Sequence, residues 1–337
     1  MIELRRPYLL FLGDVPEPLD GKTATGIAHW RPDWCLGQRR LSGCGADSGL
    51  PDMTPREAAV AGAGSMIVGV APLGGRFPEA WVGEAVAALE AGLDLAAGLH
   101  SRLNDIPAIA EAARRTGRQV FDIRHPTEPL ACGVGDKRSG KRLLTVGTDT
   151  CVGKMFTALA LERELRRRGL KADFRATGQT GIFIAGEGIC VDAVVSDFIS
   201  GAAEALSPAN DADHWDLVEG QGSLFHPAYA GVSLGLLHGA QPDALVLCHE
   251  AGRQGIDGMA HWPLPSLEDC MDLNLRAARL TNPAVRFVGV ALNTRLLNGA
   301  EATQALRETG QRLGLPCVDP VRTGVAAIVD ALLEQGA

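Results

Sequence analysis

Residues Thr145–Leu161 read "TVGTDTCVGKMFTALAL". A strand-like run, "RLLTVG", leads into a glycine-bearing turn, and helix-forming residues follow Lys154. Strand, tight turn and helix in that order make an anion site, because consecutive backbone N–H groups and the positive helix end point at the ligand. Gly153 lets the backbone curl, and Lys154 adds a point charge. Gly147, Thr148, Asp149, Thr150, Cys151, Val152, Gly153, Lys154 and Met155 are therefore the candidate phosphate-holding residues. Two positions depart from the common G-x-x-x-x-G-K-[ST] form. Thr148 stands where the first glycine would be, with Gly147 one residue earlier, and Met155 replaces the hydroxyl that normally holds magnesium.

Alternation continues on both sides of this stretch. "YLLFL" (Tyr8–Leu12), "MIVGVA" (Met66–Ala71) and "QVFDI" (Gln119–Ile123) read as buried strands. Glu79 to Ala91 carries apolar residues at helical spacing, and Asn104 is placed to cap a helix that Gly117 ends. "HPTEPLACGVGDKRSGKR" (His125–Arg142) has no periodicity and reads as a linker, so the domain boundary is expected near residue 140. The division is then 1–140, a small α/β domain, and 141–337, a second α/β domain carrying the loop. In the second part the first helix ends "RELRRRG", basic residues and a glycine that suit a helix C-terminus. Strands follow at Trp215–Gly220, Ala244–Glu250 and Arg286–Thr294, with helices near Ser266–Leu280 and Glu301–Leu313 and a last one packing Val325, Ile328, Val329 and Leu332. The fold class is α/β with a mostly parallel sheet covered on both faces.

Composition narrows the functional classes. The 337 residues are 46% apolar and 21% charged, enough to bury full cores. A net charge of −8 argues against nucleic-acid binding, which needs a basic surface. No stretch is long and apolar enough to span a membrane. The eight cysteines form no C-x-x-C pair, so neither a zinc site nor any other metal site is expected, and reduced thiols in the cytoplasm are the default. A homo-oligomer is the expected assembly.

Other candidates sit where strands end, because parallel sheets gather ligands at their carboxyl edge. "WDLVEGQGSLFHP" supplies Glu219, as a general base or a metal carboxylate, with Gln221, Ser223 and His226 beside it. "RATGQTGIFIAGEGICVDAVVSDFISGAAEAL" holds Gln179, Thr180 and Gly181 in a polar turn. Further on, Asp192 and Asp197 would be costly to bury alone in an otherwise apolar run. "LCHEAGR" holds His249, Glu250 and Arg253; the last either binds a substrate carboxylate or pairs with Glu250. In the first part, "GKTATGIAHWRPDW" (Gly21–Trp34) reads as a loop carrying Lys22 and Arg31.

"TDTCVGK" is similar to the phosphate loop of dethiobiotin synthetase and its amidoligase relatives. Taken with "ATGQTGIFIAGEGICVDAVVSDFISGAAE", "VEGQGSLFHPAYAGVSLGLLHG", "LCHEAGR", "KTATGI" and "LHSRLND", the chain resembles the DgcN-type N-acetyltransferase family over nearly its whole length. Met155 after the lysine belongs to that family's pattern. The resemblance implies a Rossmann-like domain followed by a P-loop domain. It also implies acetyl transfer from acetyl-CoA to the amino group of a D-amino acid, with D-glutamate expected, as a first step in its breakdown.

A loop that grips the phosphates of coenzyme A without splitting them has no need of a metal hydroxyl. On that reading Glu219 deprotonates the amine, with Asp197 and Gln221 as the other catalytic candidates. Backbone N–H groups near Gln179–Gly181 or Gln221–Ser223 would meet the oxyanion. Lys22, Arg31, Gln179, Thr180, Ser223, His226 and Arg253 would bind the amino acid. The rival is a ligase or kinase-like enzyme using ATP with magnesium, which Met155 weakens.

Overall fold

The computed structural model describes residues 4–71, 74–126 and 129–334. Eleven strands and eleven helices follow one another as β1 (Tyr8–Gly13), α1 (Lys22–Trp30), β2 (Cys35–Arg40), α2 (Pro55–Val60), β3 (Ser65–Val68), α3 (Val82–Glu90), β4 (Asp94–Ala97), α4 (Pro107–Thr116) and β5 (Val120–Asp122) among the described residues. Then come β6 (Lys141–Gly147), α5 (Lys154–Arg167), β7 (Ala172–Arg175), α6 (Gln179–Ala185), α7 (Ile199–Leu206) and β8 (Trp215–Val218). The chain closes with α8 (Ala230–Ala240), β9 (Ala244–Glu250), α9 (Leu267–Ala278), β10 (Arg286–Asn293), α10 (Gly299–Leu313), β11 (Cys317–Val318) and α11 (Ala326–Glu334).

Two compact units result, Met1–Thr127 with Gly178–Ala193, and Glu128–Thr177 with Val194–Ala337. The cut expected near residue 140 falls in the second unit just before β6. The second unit's chain also sends Gly178–Ala193, which includes α6, into the first.

Unit 1 has a five-stranded sheet in the order β2-β1-β3-β4-β5, all parallel. The order reverses at β1, the position beside which parallel sheets favour ligands. Every residue of β1 is buried, as expected of a parallel strand covered on both sides. Trp81 anchors this core. Its ring lies edge-on to Phe11 and Phe77 at 5.3 and 5.6 Å, and its Nε1 donates to Asp14 at 2.7 Å.

Unit 2 has a six-stranded parallel sheet, β11-β10-β9-β6-β8-β7, that switches direction at β6. Helices α5 and α11 pack together against it, and α7, α8 and α9 form a second group seated on β6. Leu143, Leu144, Leu217, Leu245, Val246, Leu247 and Val290 are essentially fully buried. Each contributes about 1.5–3 kcal/mol relative to exposure. Gly169, at φ +79°, stops the chain just past α5.

Local readings differ from the structure in three places. The stretch read as a loop at Lys22–Trp30 is helix α1, because Thr23, Ala24, Gly26 and Ile27 are buried on one side. Asn104 does not cap α4. It donates instead to Val120 O and the Asp122 carboxylate at 3.1 and 2.8 Å, while Pro107 opens the helix. Gln179–Gly181 is the start of helix α6 and not a turn.

Candidate active site: a phosphate loop without its hydroxyl

The loop leaves β6 at the point where strand order reverses, the place parallel sheets favour for ligands. Gly153 takes φ +104° at the start of α5 and, having no side chain, supplies no capping oxygen of its own. Cys151 also has positive φ, +55°, an uncommon conformation for a side-chain-bearing residue.

Neighbouring strands hold this conformation. Thr148 N donates to Cys248 O at 3.2 Å, Ser223 Oγ donates to Thr148 O at 3.1 Å, and Thr148 Oγ1 lies 2.9 Å from His249 Nδ1. The His249 imidazole is pushed down to about 4, first by burial and then by the Arg253 charge, so it stands neutral at neutral pH.

Asp149 is fully buried and bonded within the protein. Its carboxylate accepts from Thr150 N at 2.7 Å, Arg253 Nη1 at 2.7 Å and Asp257 N at 2.8 Å. Thr150 Oγ1 donates to Asp257 at 3.0 Å. Arg253 also grips Glu250 through Nε at 2.8 Å, and Arg295 bonds the other Glu250 oxygen. Burial works against charge on Glu250, but the bonds from Arg295 and Arg253 outweigh it and hold its carboxyl below the ordinary range. Arg253 is thus bound to two carboxylates, one of them in the loop.

Lys154 is buried, and its Nζ donates to Asp149 O at 2.6 Å. Burial lowers its pKa. Gly220 lies against it: a Cβ there would stand 3.0 Å from Lys154 Cδ and 1.7 Å from Thr145 O. Only glycine fits between the strand and the lysine stem. Next to the loop, Gly147, Gly220, Gln221, Ser223, Ser233 and Asn274 help enclose a cavity of about 10 Å³, room for roughly one water.

Glu219 ends β8 and is buried; its carboxylate accepts from Thr177 N at 3.0 Å. Thr177 Oγ1 donates to Glu219 O at 2.7 Å and accepts from Gln221 Nε2 at 3.0 Å. His226 is buried, stacked on Tyr229 with ring centroids 4.4 Å apart, and its Nδ1 accepts from Ala228 N at 3.1 Å. That bond assigns the proton of the neutral ring to Nε2, which is buried and bonded to no described residue.

The structure therefore gathers Glu219, Gln221, Ser223 and Arg253 with the loop Gly147–Met155 in unit 2. His226 joins them through its N–H to Ser223 O at 3.1 Å. No described contact joins Asp197 to that loop. It is exposed on a single 3-10 turn before α7, and Asp192 is exposed too, so the burial cost expected for both does not arise. Lys22, Arg31, Gln179 and Thr180 belong to unit 1. Lys22 and Arg31 lie at opposite ends of α1, and the Arg31 guanidinium stands 5.1 Å from the Trp34 ring centre.

Sequence reasoning missed Thr177 and Asp257, which act on residues far along the chain. It also did not reveal Asp173, His214 and Asp216, whose ligand atoms lie within 4.8 Å of one another. Arg175 Nε donates to Asp216 there at 2.9 Å. These carboxylates start β7 and β8, at the opposite edge of the sheet from the loop.

Comparison with known proteins agrees with this architecture. The family described as "Domain of unknown function (DUF1611_C) P-loop domain" matches residues 129–329, and its companion, the "(DUF1611_N) Rossmann-like domain", matches 39–126. A protein of Tritonibacter scottomollicae named D-glutamate N-acetyltransferase is 51% identical over 98% of this chain and 99% of its own. One of the same name from Pseudoalteromonas sp. is 46% identical over 97% and 99%. The crystal structure of a DUF1611 family protein from Anabaena variabilis superposes with a TM-score of 0.90 at 31% identity, covering 98% of this chain and all of that one. With its Rossmann-like unit, its P-loop unit and these matches along almost its full length, the chain belongs to the DUF1611 family.

Proposed function

We propose that this protein transfers the acetyl group of acetyl-CoA to the amino nitrogen of D-glutamate. The observation that carries this is the 51% and 46% identity, over almost the whole chain, to two relatives named for that activity. The loop chemistry is consistent with it. A helix N-terminus opened by Gly153, together with Lys154, suits the phosphates of coenzyme A. Met155 offers no hydroxyl to the magnesium that ATP chemistry uses.

In this account Glu219, oriented by Thr177, takes a proton from the acceptor ammonium. The freed nitrogen attacks the thioester carbon, a C–N bond forms, the C–S bond breaks, and the thiolate of coenzyme A takes up a proton. The Nε2–H of His226 is a donor for the oxyanion of the tetrahedral intermediate, since it is buried, fixed in tautomer and otherwise unused. Arg253 acts by positioning the loop through Asp149, not by touching substrate.

The test is mass spectrometry of products after incubation with acetyl-CoA and either D- or L-glutamate. Gain of one acetyl group by D-glutamate supports the proposal. Free coenzyme A without an acetylated amino acid would contradict it.

A further inference from the structure

Unit 2 carries a second cluster of ligating groups, at the amino edge of its sheet. Asp173 on β7 and Asp216 on β8 are paired in register, so their side chains leave neighbouring strands on one face. Like charges set side by side across strands repel. His214 lies two residues before Asp216, the strand period that returns a side chain to the same face. Its backbone is fixed on both sides. Its carbonyl accepts from Lys141 N at 2.8 Å, and its N–H donates to Asp211 O at 3.0 Å.

His214 Nε2 stands 3.3 Å from Asp173 Oδ2 and 3.5 Å from Asp216 Oδ1. One ligand atom from each of the three residues lies within 4.8 Å of the others. His214 is only 7% exposed, yet Nε2 makes a hydrogen bond with no described residue. Buried polar atoms are nearly always satisfied, so this atom calls for a partner. A tetrahedral ion with bonds of about 2.1 Å spaces its ligand atoms about 3.4 Å apart, which is the spacing around Nε2.

Outer contacts hold the two carboxylates. Asp216 Oδ2 accepts from Ser207 Oγ at 2.5 Å and Oδ1 from Arg175 Nε at 2.9 Å, while Asp173 Oδ1 accepts from Arg166 Nη2 at 2.7 Å. Bonds of this kind orient ligating groups around a metal, and a carboxylate oxygen that accepts one N–H keeps a lone pair for an ion. Arg175 Nη2, 3.5 Å from Asp173 Oδ2, flanks the carboxylates without bonding Nε2.

We infer that Asp173, His214 and Asp216 form a zinc site. Calcium and magnesium take oxygen ligands, whereas one imidazole with two carboxylates suits Zn²⁺, and water completes the four. Asp173, the least buried of the three, is the side from which the ion enters. The ion joins β7, the last strand of the sheet, to β8. It lies at the edge away from the phosphate loop, takes no part in acetyl transfer, and does not depend on that reading.

The test strips the full-length wild type, Asp173→Asn and His214→Gln with a chelator and titrates each with zinc chloride by calorimetry. Each is also melted with and without zinc. The wild type should take up one equivalent that both variants bind at least about tenfold more weakly. Zinc should raise the melting temperature of the wild type and leave that of the variants in place. Asp173 is part-exposed, so its asparagine variant carries the test even where the buried histidine cannot be replaced without unfolding.

No uptake by the wild type overturns the inference, as does equal uptake by all three proteins, the mark of ions held elsewhere. So does zinc uptake that leaves the wild-type melting temperature unmoved, since an ion bound only by the folded site must stabilise it.

Discussion

Arg253 Nη1 sits 2.7 Å from the Asp149 carboxylate, a pair whose side chains are 10% and 0% exposed. It ties the loop after β9 to the phosphate loop after β6. Breaking a buried pair leaves one charge uncompensated and costs about 3–5 kcal/mol. Asp149→Asn should therefore lower the melting temperature markedly, and Arg253→Met should do the same. The double variant should lose less than the sum of the two, and strict additivity in denaturant titrations would show that the pair does not act as a unit.

Lys154 gives a pH-dependent prediction. Burial lowers its pKa in the free protein, and a bound phosphate favours its charged form. Anion binding therefore needs the protonated lysine and should weaken as pH rises through its depressed pKa. Coenzyme A titrations at rising pH should show this fall in wild type. Lys154→Ala should bind at least about tenfold more weakly with a flat profile. A flat profile in the wild type would remove the lysine from the phosphate contact.

His249 makes a separate prediction about stability. Its folded pKa, about 4, lies below the ordinary value near 6.5. Between those values the unfolded chain binds a proton that the folded chain refuses. Stability from this group is thus complete above about pH 6.5 and lost as pH falls toward 4, by on the order of 3 kcal/mol. His249→Gln should flatten that part of the stability curve, as measured by urea unfolding from pH 7 to 4.

Glu219→Gln tests the proposed base. The amide keeps an oxygen for Thr177 N but cannot take a proton. The turnover rate should fall about 10²–10⁴-fold with the acetyl-CoA KM little changed. Full turnover at every pH would exclude Glu219 as the base.

Much of the architecture was legible because its signals are local. Strand, glycine, lysine and helix fall within the short run from Thr145 to Leu161, β1 is an unbroken apolar run, and β9 is apolar until His249 and Glu250 at its end. Helix α1 was not legible. Its flanks, Gly21 and Pro32, and its internal Gly26 resemble a loop, and only burial of Thr23, Ala24 and Ile27 makes it a helix. The assignment of Gly178–Ala193 to unit 1 was also hidden, since it depends on Gln179 meeting Gly98 and Asp192 meeting Arg124 far along the chain. In the loop, glycine and lysine spacing marks an anion site but says nothing of what fixes it. Asp257, which binds both Asp149 and Thr150, comes from a stretch with no periodic signal.

If the loop serves acetyl-CoA, it needs neither ATP nor magnesium. The most direct measurement is the rate of N-acetyl-D-glutamate formation in EDTA, beside a parallel reaction with ATP and magnesium in place of acetyl-CoA. Acetyl transfer should be complete in EDTA, with no ADP in the parallel reaction. ADP formed only with magnesium and D-glutamate, with no acetyl product in EDTA, would contradict it.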